Sequence, residues 1–185
     1  YCTEIQEKRL TDGVTTSFQP LYSPDGKKVA YLQNREAICI IDLKSGKSRV
    51  AMDAKYNYSY SDGDQYFTWS PDSKWLLADY MGNGGWNNVD VALIDAEGKD
   101  EPVNLTQSGY TDSHARWVMG GKAMIFASDR AGYRSHGSWG SHRDVYITFF
   151  DAEAYNKFRM NKQDRALLEE AEKANKKSEK KDSTD

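Results

Sequence analysis

The sequence predicts an all-β fold made of about three repeated four-stranded antiparallel units, followed by a C-terminal charged segment that is helical. The first supporting observation is a recurring aromatic residue, because Tyr22, Trp69 and Trp117 stand at nearly equal intervals. The second is that each of them precedes a short turn, a Lys and an apolar run. The third is a later apolar segment that ends in Asp in every unit. Self-similarity at a period of roughly 40–50 residues indicates a repeat architecture.

The turn after each aromatic residue explains why the motif recurs. It reads SPDG at 23–26 and SPDS at 70–73, and it is degraded to VMGG at 118–121. Pro presets the backbone angle at the second turn position, Asp bonds its own backbone, and Gly accepts a left-handed angle. The motif therefore predicts a tight turn between two antiparallel strands at the same place in each unit.

The segments around each turn predict four strands per unit. They are short and rich in Val, Ile, Tyr, Phe and Trp, as strands are. The first strand holds the recurring aromatic residue, the second follows the Lys, the third ends at Asp42, Asp95 or Asp151, and the fourth leads to the next unit. Four strands per repeat of this length are typical of propeller blades. We therefore predict a partial β-propeller of about three four-stranded antiparallel blades.

The register of the repeat predicts the domain boundaries. RLTDGVTTSFQPLY at 9–22 matches NLTQSGYTDSHARW at 104–117, which indicates that the repeat begins before the first residue. The expected divisions are the end of a preceding blade at 1–15, blades at 16–52 and 53–106, an incomplete blade at 107–152, and a helical charged insertion or tail at 153–185. From Lys173 onward the tail is charged, small or polar, and we expect it to fray.

Composition and motifs exclude several classes of function. The net charge is −3, from 25 basic and 28 acidic residues, so nucleic acid is a poor candidate for the partner. No apolar run is long enough to insert into a membrane. Cys2 and Cys39 lack CxxC spacing, and His136 and His142 share one Gly-rich loop, so we predict neither a metal nor another cofactor.

One triplet contains the residue types of a serine hydrolase, but its spacing argues against catalysis. DSH at 112–114 consists of neighbours in an expected strand, and such neighbours point to opposite faces. A nucleophile, its base and the residue that orients the base must instead converge. The sequence also lacks a GxSxG elbow. We therefore predict no catalytic residue in this chain.

The repeats resemble WD-like β-propeller repeats of the TolB-like kind, which carry the aromatic-Ser-Pro-Asp-Gly turn before an apolar strand. The third unit, SDRAGYRSHGSWGSHRDVYITFFDAEAYNKF, with the Lys/Glu-rich stretch after it, resembles the amino-terminal propeller of bacterial tricorn-like serine peptidases. That resemblance implies a non-catalytic propeller segment that gates or binds peptides, with the catalytic residues elsewhere in the parent. It also implies a helical insertion before the propeller resumes, contacts with the remaining blades, a possible oligomer of the parent, and a bacterial periplasm or cell envelope as the location.

Two alternatives remain open beside this interpretation. The first is a TolB-like propeller module that binds a protein or a glycan, with no protease attached. The location could also be cytoplasmic, because nothing in the residues themselves decides it.

Loop lengths indicate which end of the blades carries the function. The connections between the first and second strands, and between the third and fourth, are tight. All the long connections fall at the other end: 53–64, 81–88, 106–113 and 129–144. Long loops on a rigid scaffold are where binding residues collect.

The longest of these loops, 129–144, provides most of the candidate binding residues. Arginine forks beside an aromatic ring can hold a carboxylate or a peptide carbonyl, so a peptide or protein is the expected partner. The predicted site consists of Arg130, Arg134, His136, Trp139, His142, Arg143, Trp86, Tyr58 and Tyr60. Two structural roles compete with binding: the arginines could pair with Asp129 and Asp144 in a solvated loop, and YNYSY could form an extended edge with one packed side.

Overall fold

The computed structural model describes residues 4, 7–59, 65–82, 85, 88–135 and 140–182, with the helical backbone alone after residue 175. The chain divides into two compact units, 1–148 and 149–185.

The first unit contains three antiparallel sheets, in which neighbouring strands follow one another along the chain. The first sheet holds β1 (Ser17–Tyr22), β2 (Lys28–Gln33), β3 (Ala37–Asp42) and β4 (Ser48–Met52). The second holds β5 (Phe67–Trp69), β6 (Trp75–Tyr80), β7 (Asp90–Asp95) and β8 (Val103–Asn104). The third holds β9 (Asp112–Val118), β10 (Ala123–Ser128) and β11 (Asp144–Phe149), three strands among the described residues. The predicted fold class is confirmed, whereas the predicted domain boundaries stay a prediction.

The recurring aromatic residues occupy equivalent positions in the three sheets. Each of them pairs with the residue seven positions later on the next strand. The pairs are Tyr22 with Val29, Trp69 with Leu76, and Trp117 with Met124. The repeat found in the sequence is therefore a repeat of strand register.

Each tryptophan of the repeat also fastens its sheet to the sheet before it. The Trp69 indole Nε1 donates to the carbonyl oxygen of Leu21 at 2.9 Å, and the Trp117 Nε1 donates to that of Thr68 at 3.4 Å. Both acceptors come directly before the equivalent aromatic residue of the preceding sheet. A buried indole needs such a partner, so the same residue that fills the core also sets the contact between sheets.

The two SPD turns are built alike. The Ser23 hydroxyl donates to Asp25 at 2.7 Å and accepts the Lys28 N–H at 3.0 Å. The Ser70 hydroxyl does the same with Asp72 at 2.6 Å and with the Trp75 N–H at 3.0 Å. The hydroxyl thus closes the turn and begins the next strand in both sheets, as the motif predicts.

Ser73 stands where the first turn has glycine, and its backbone is left-handed, with φ at 61°. Its hydroxyl accepts the N–H of Asp25 at 3.0 Å, which joins the turns of two sheets. We expect Ser73→Ala to lower the free energy of unfolding by about 1 kcal/mol, because the strain remains and the hydrogen bond is lost. Ser73→Gly relieves the strain and should stay within about 0.5 kcal/mol of the wild type. Urea denaturation followed by circular dichroism measures both, and a Ser73→Ala variant as stable as the wild type would contradict the role of this bond.

Apolar clusters fill the spaces between the sheets. The cluster between the first and second sheets includes Leu32, Ile38, Trp69, Leu76 and Ile94. The cluster between the second and third includes Leu77, Val91, Met124 and Phe126. This face-to-face packing is how successive blades stabilise one another.

A third apolar cluster lies on the first sheet, away from the first of these interfaces. It consists of Val29, Tyr31, Cys39 and Ile41. Two cavities, of about 330 and 140 Å³, adjoin this face, and Leu10 and Thr11 line both. The described residues before Ser17 form no strand. The assignment of residues 1–15 to a preceding blade stays a prediction.

The second unit begins with a capped helix. The Asp151 carboxylate accepts the N–H of Ala154 at 2.6 Å and caps α1 (Ala152–Arg159), which α2 (Lys162–Asp182) follows. Lys157 pairs with Glu153 at 3.0 Å and with Glu172 at 2.7 Å, which links the two helices. α2 continues past Lys173 to Asp182, and Lys, Glu and Ala are strong helix formers, while the expected fraying of this end stays a prediction. No helix in the described part of the chain is long and apolar enough to span a bilayer.

Candidate functional site

The strand order places the candidate site at one end of the sheets. Because the strands are antiparallel and consecutive, the connections after the second and fourth strands of each sheet lie at the same end. We call this the loop end. The described parts of its connections are 34–36, 53–59, 65–66, 81–82, 85, 88–89, 105–111, 129–135 and 140–143.

Four aspartates lie where strands begin or finish at the loop end. They are Asp79, Asp90, Asp112 and Asp129. The last three are buried, and Asp79 is 13% exposed. A buried carboxylate is costly unless it is hydrogen-bonded or paired, so the partners of these groups determine the chemistry of the loop end.

Asp90, at the start of β7, organises the chain that enters the third sheet. Its carboxylate accepts the side-chain N–H of Asn104 at 2.8 Å, the hydroxyl of Thr106 at 2.8 Å and the backbone N–H of Ser108 at 3.0 Å. These donors are uncharged. Asp90 therefore fixes residues 104–108 and leaves the arginines of the next loop to other partners.

Arg130 is held by Asp112 and by two aromatic rings. Its Nη2 lies 2.7 Å from Asp112 Oδ2, which also accepts the Ser108 hydroxyl at 2.6 Å. The guanidinium carbon lies 4.8 Å from the ring centroid of Tyr146 and 5.3 Å from that of Phe126. An ion pair and two cation–π contacts keep the guanidinium group of Arg130 in one orientation.

Arg134 is held in a similar way by Asp129. Its Nε lies 3.4 Å from Asp129 Oδ2, and Asp129 Oδ1 accepts the Thr111 N–H at 2.9 Å. The guanidinium carbon lies 5.5 Å from the ring centroid of Tyr110. Of the two pairings considered from the sequence, Asp129 is therefore a partner of the loop arginines, but Arg130 takes Asp112.

A third group of charged residues lies where the second sheet meets the third. Asp79 Oδ1 accepts the backbone N–H of His114 at 2.8 Å, and Asp79 Oδ2 lies 3.8 Å from His114 Nδ1. The His114 ring is tilted against Tyr66, with centroids 5.1 Å apart. The Arg143 Nη1 donates to the Ser113 hydroxyl at 3.2 Å. We call Asp79, His114, Arg143 and Tyr66 the seam cluster.

A local distortion of β9 gives His114 its position. The pairing of β9 with β10 shifts between Ile125 and Ala127, and His114 is left-handed, with φ at 56°. Such a bulge adds a residue to one strand and redirects its side chain. The His114 side chain is consequently 56% exposed although the residues on either side of it are buried.

The seam cluster perturbs the ionisation of two of its members. Burial raises the pKa of Asp79 to about 7, although the His114 N–H and the positive charge of Arg143 oppose this change. Burial also lowers the pKa of His114, and the positive charges of Arg143 and Arg116 act in the same direction. Asp79 therefore changes charge near neutral pH, and such perturbed groups are frequent at functional sites.

The predicted site residues are only partly described. Arg130, Arg134 and Arg143 lie at the loop end, each engaged with the ends of β9 or β10. His142 is exposed, with its backbone N–H bonded to the Tyr133 carbonyl at 2.9 Å, and Tyr58 is exposed on another connection. Four of the predicted residues lie outside the described part of the chain: Tyr60, Trp86, His136 and Trp139.

The seam cluster contains three residues that no sequence motif assigns to the site. His114 stands out in the sequence only as part of the DSH triplet, and Asp79 and Tyr66 belong to no site motif. A signal for Asp79 existed, because a carboxylate interrupts the otherwise apolar run WLLADY. A charged residue within a buried strand is exceptional unless it has partners or a role.

The DSH triplet is divided among separate partners. Asp112 pairs with Arg130, Ser113 accepts from Arg143, and His114 contacts Tyr66 and Asp79. Within the described ranges, no group of three or more His, Cys, Asp or Glu side chains is placed to hold a metal ion.

Comparison with known proteins supports the architecture. No family model matches the chain. A solved structure of a protein provisionally named TolB, from Agrobacterium tumefaciens, superposes with a TM-score of 0.51 at 18% identity. The match covers 76% of this chain and 52% of that protein, so this chain spans about half the length of the solved structure. Identity at this level establishes the fold alone. The chain has a TolB-like β-propeller fold.

Proposed function

We propose that this chain is the non-catalytic propeller segment of a tricorn-like serine peptidase and that it binds peptides at its loop end. The observation that carries the proposal is the arrangement of three arginines there. Arg130 and Arg134 are fixed on buried aspartates and against aromatic rings, and the exposed Arg143 donates to the Ser113 hydroxyl.

Fixed arginine forks suit the recognition of a peptide. A guanidinium carries five N–H donors, and Arg130 uses its Nε and Nη2 to bond Ser128 and Asp112. Because Asp112 and Asp129 compensate two of the positive charges, the loop end offers directed donors rather than a strong positive field. Directed donors match peptide carbonyl groups and a terminal carboxylate, and their prior ordering reduces the entropic cost of binding.

The assignment to a peptidase is supported by the resemblance of the third sequence repeat to the propeller of tricorn-like peptidases. The helices that follow this repeat support it as well. Under this proposal the catalytic serine, its base and the oxyanion donors belong to other parts of the parent. The bacterial periplasm or cell envelope is the proposed location.

A second candidate is a TolB-like module that binds a protein or a glycan without an attached protease. The exposed tyrosines at the loop end favour it, because Tyr58 and Tyr133 are 52% and 64% exposed. Exposed aromatic rings provide large, rigid contact areas for either ligand.

Binding of labelled peptides tests the proposal. We expect the full chain to bind rhodamine-labelled tetra-alanine with a free carboxylate at pH 7, measured by fluorescence anisotropy. Arg143→Gln should weaken binding by at least about tenfold, because a charge-assisted hydrogen bond contributes about 1.5–3 kcal/mol. Lys27→Gln, at the opposite end of the first sheet, is the matched loss of one positive charge and should leave binding unchanged.

Two results would overturn the proposal. One is an absence of binding at millimolar peptide, and the other is equal weakening by Arg143→Gln and Lys27→Gln. The same peptides, incubated with the chain and analysed by mass spectrometry, should remain intact. Hydrolysis that persists through purification would show that this segment is itself catalytic.

A further inference from the structure

We infer that the seam cluster is the subsite that receives the terminal carboxylate of a bound peptide, and that this subsite fills as the pH falls. The inference rests on the proposed peptide binding and adds to it the location of a subsite, the ligand group that it binds, and a dependence of affinity on pH. It identifies Asp79 and His114 as the residues that determine the pH range in which the peptide binds.

The geometry brings three ionisable groups from separate elements to one accessible place. Asp79 comes from β6 of the second sheet, His114 from the bulge of β9, and Arg143 from the residue before β11. The Asp79 carboxylate and the His114 ring are 3.8 Å apart, and Arg143 is bonded to Ser113, the neighbour of His114. His114 and Arg143 are exposed, so a ligand can approach from solvent.

The charge of this cluster depends on pH in one direction. At pH 8 the ionised Asp79 offsets the charge of Arg143, and His114 is neutral. Asp79 takes up a proton near its pKa of about 7, and His114 takes up a proton at lower pH, since its pKa is reduced. Arg116 also faces His114, and the ring of Tyr66 contacts the His114 ring.

Protonation changes both the charge and the hydrogen-bonding character of the subsite. An ionised Asp79 accepts hydrogen bonds and repels a second carboxylate, whereas a protonated Asp79 can donate one. With Asp79 protonated, Arg143 is no longer offset, and protonated His114 adds another donor. An incoming carboxylate therefore meets an acceptor at high pH and up to three donors at low pH.

The other arginines of the loop end are less suited to a free carboxylate. Arg130 and Arg134 already lie beside the carboxylates of Asp112 and Asp129, both of which are buried. A ligand carboxylate there would add a second negative charge next to the first. Arg143 instead has a neutral hydroxyl as its nearest described partner and a carboxylate neighbour that loses its charge near pH 7.

Anisotropy with two labelled peptides tests the inference. Rhodamine-labelled tetra-alanine with a free carboxylate should bind the full chain about tenfold more tightly at pH 6 than at pH 8. This difference in binding free energy is about the size of one ion pair near the protein surface. The same peptide with a C-terminal amide should show no such change.

Substitutions assign the pH dependence to particular residues. Asp79→Asn keeps an acceptor for the His114 N–H and carries no charge, so it should raise affinity at pH 8 nearly to the value at pH 6. His114→Gln should reduce the further gain in affinity below pH 6. Asp100→Asn, on a turn at the opposite end, is the matched control and should keep the wild-type profile.

The outcomes separate this inference from the proposal beneath it. If Arg143-dependent binding does not change with pH, or if Asp79→Asn keeps the wild-type pH profile, the seam cluster is not the carboxylate subsite. If neither peptide binds at either pH, the proposed function and the inference fail together. Circular dichroism of each variant at both pH values excludes unfolding as the cause.

Discussion

Trp69→Ala is expected to lower the free energy of unfolding by about 3–5 kcal/mol, as large-to-small substitutions of buried aromatic residues do. Trp69 is 6% exposed and belongs to the apolar cluster between the first and second sheets. Its removal opens a cavity there and leaves the carbonyl of Leu21 without the indole donor. Both effects act on the contact between sheets, so we expect the whole first unit to be affected.

Companion variants separate packing from hydrogen bonding at this position. Trp69→Phe keeps most of the ring contacts and loses the donor, so it should cost about 1 kcal/mol for the hydrogen bond, plus a smaller packing loss. Trp117→Phe is the matched comparison, because its bond to Thr68 is longer and its side chain is only half-buried. Urea denaturation followed by circular dichroism measures all three variants. A cost below about 1.5 kcal/mol for Trp69→Ala would show that the sheets are held together by other contacts.

Asp79→Asn is expected to become more stable than the wild type as the pH rises from 4 to 8. The folded pKa of Asp79 is raised from 3.8 to about 7, so folding favours its neutral form. The resulting stabilisation is complete below the unfolded pKa of 3.8 and is lost as the pH rises through the folded value. Asn cannot ionise and avoids this loss. The full shift would correspond to about 4 kcal/mol, and we expect roughly 2–4 kcal/mol because the side chain retains some contact with water.

The difference between the two proteins reports on Asp79 and on its coupling to His114, which lies 3.8 Å from it. Groups distant from Asp79 titrate in both proteins, and their contributions cancel when the free energies of unfolding are subtracted at each pH. Urea denaturation at pH 4, 6 and 8 provides the difference in the free energy of unfolding. For the control Asp100→Asn, this difference from the wild type should not change with pH. A flat difference for Asp79→Asn would mean that Asp79 is ionised in the folded protein throughout this range.

The fold could be predicted from the sequence because each repeat is defined by interactions between residues that are close along the chain. The SPD turns use hydrogen bonds within a few residues, and the aromatic residue before each turn lies in a fixed register with the next strand. Short-range rules therefore sufficed to predict three antiparallel blades. The bulge at His114 and the similar register shift between Phe18 and Leu21 in the pairing of β1 with β2 were not predicted, because they depend on strand pairing rather than on a local motif.

The candidate site was harder to predict from the sequence because the residues that contact one another in it are far apart along the chain. The sequence offered the loop arginines only Asp129 and Asp144 as possible partners, but Asp112 reaches Arg130 because Ser128 and Asp112 are opposite each other in the β9–β10 pairing. The seam cluster depends on packing between two sheets, which no single stretch of sequence reports. Loop lengths predicted a site at the end of the sheets where Asp79 and His114 lie, but only the tertiary geometry brings these two residues together.

The indole bond between sheets has an evolutionary consequence. The donor is a side chain of the later repeat, while the acceptor is a main-chain oxygen that any amino acid would supply. A duplicated repeat therefore brings this bond with it, whatever residue the preceding copy has at the acceptor position. Gene duplication can lengthen such an array one module at a time with the indole bond kept at each new junction, while the apolar faces of neighbouring sheets must still fit one another.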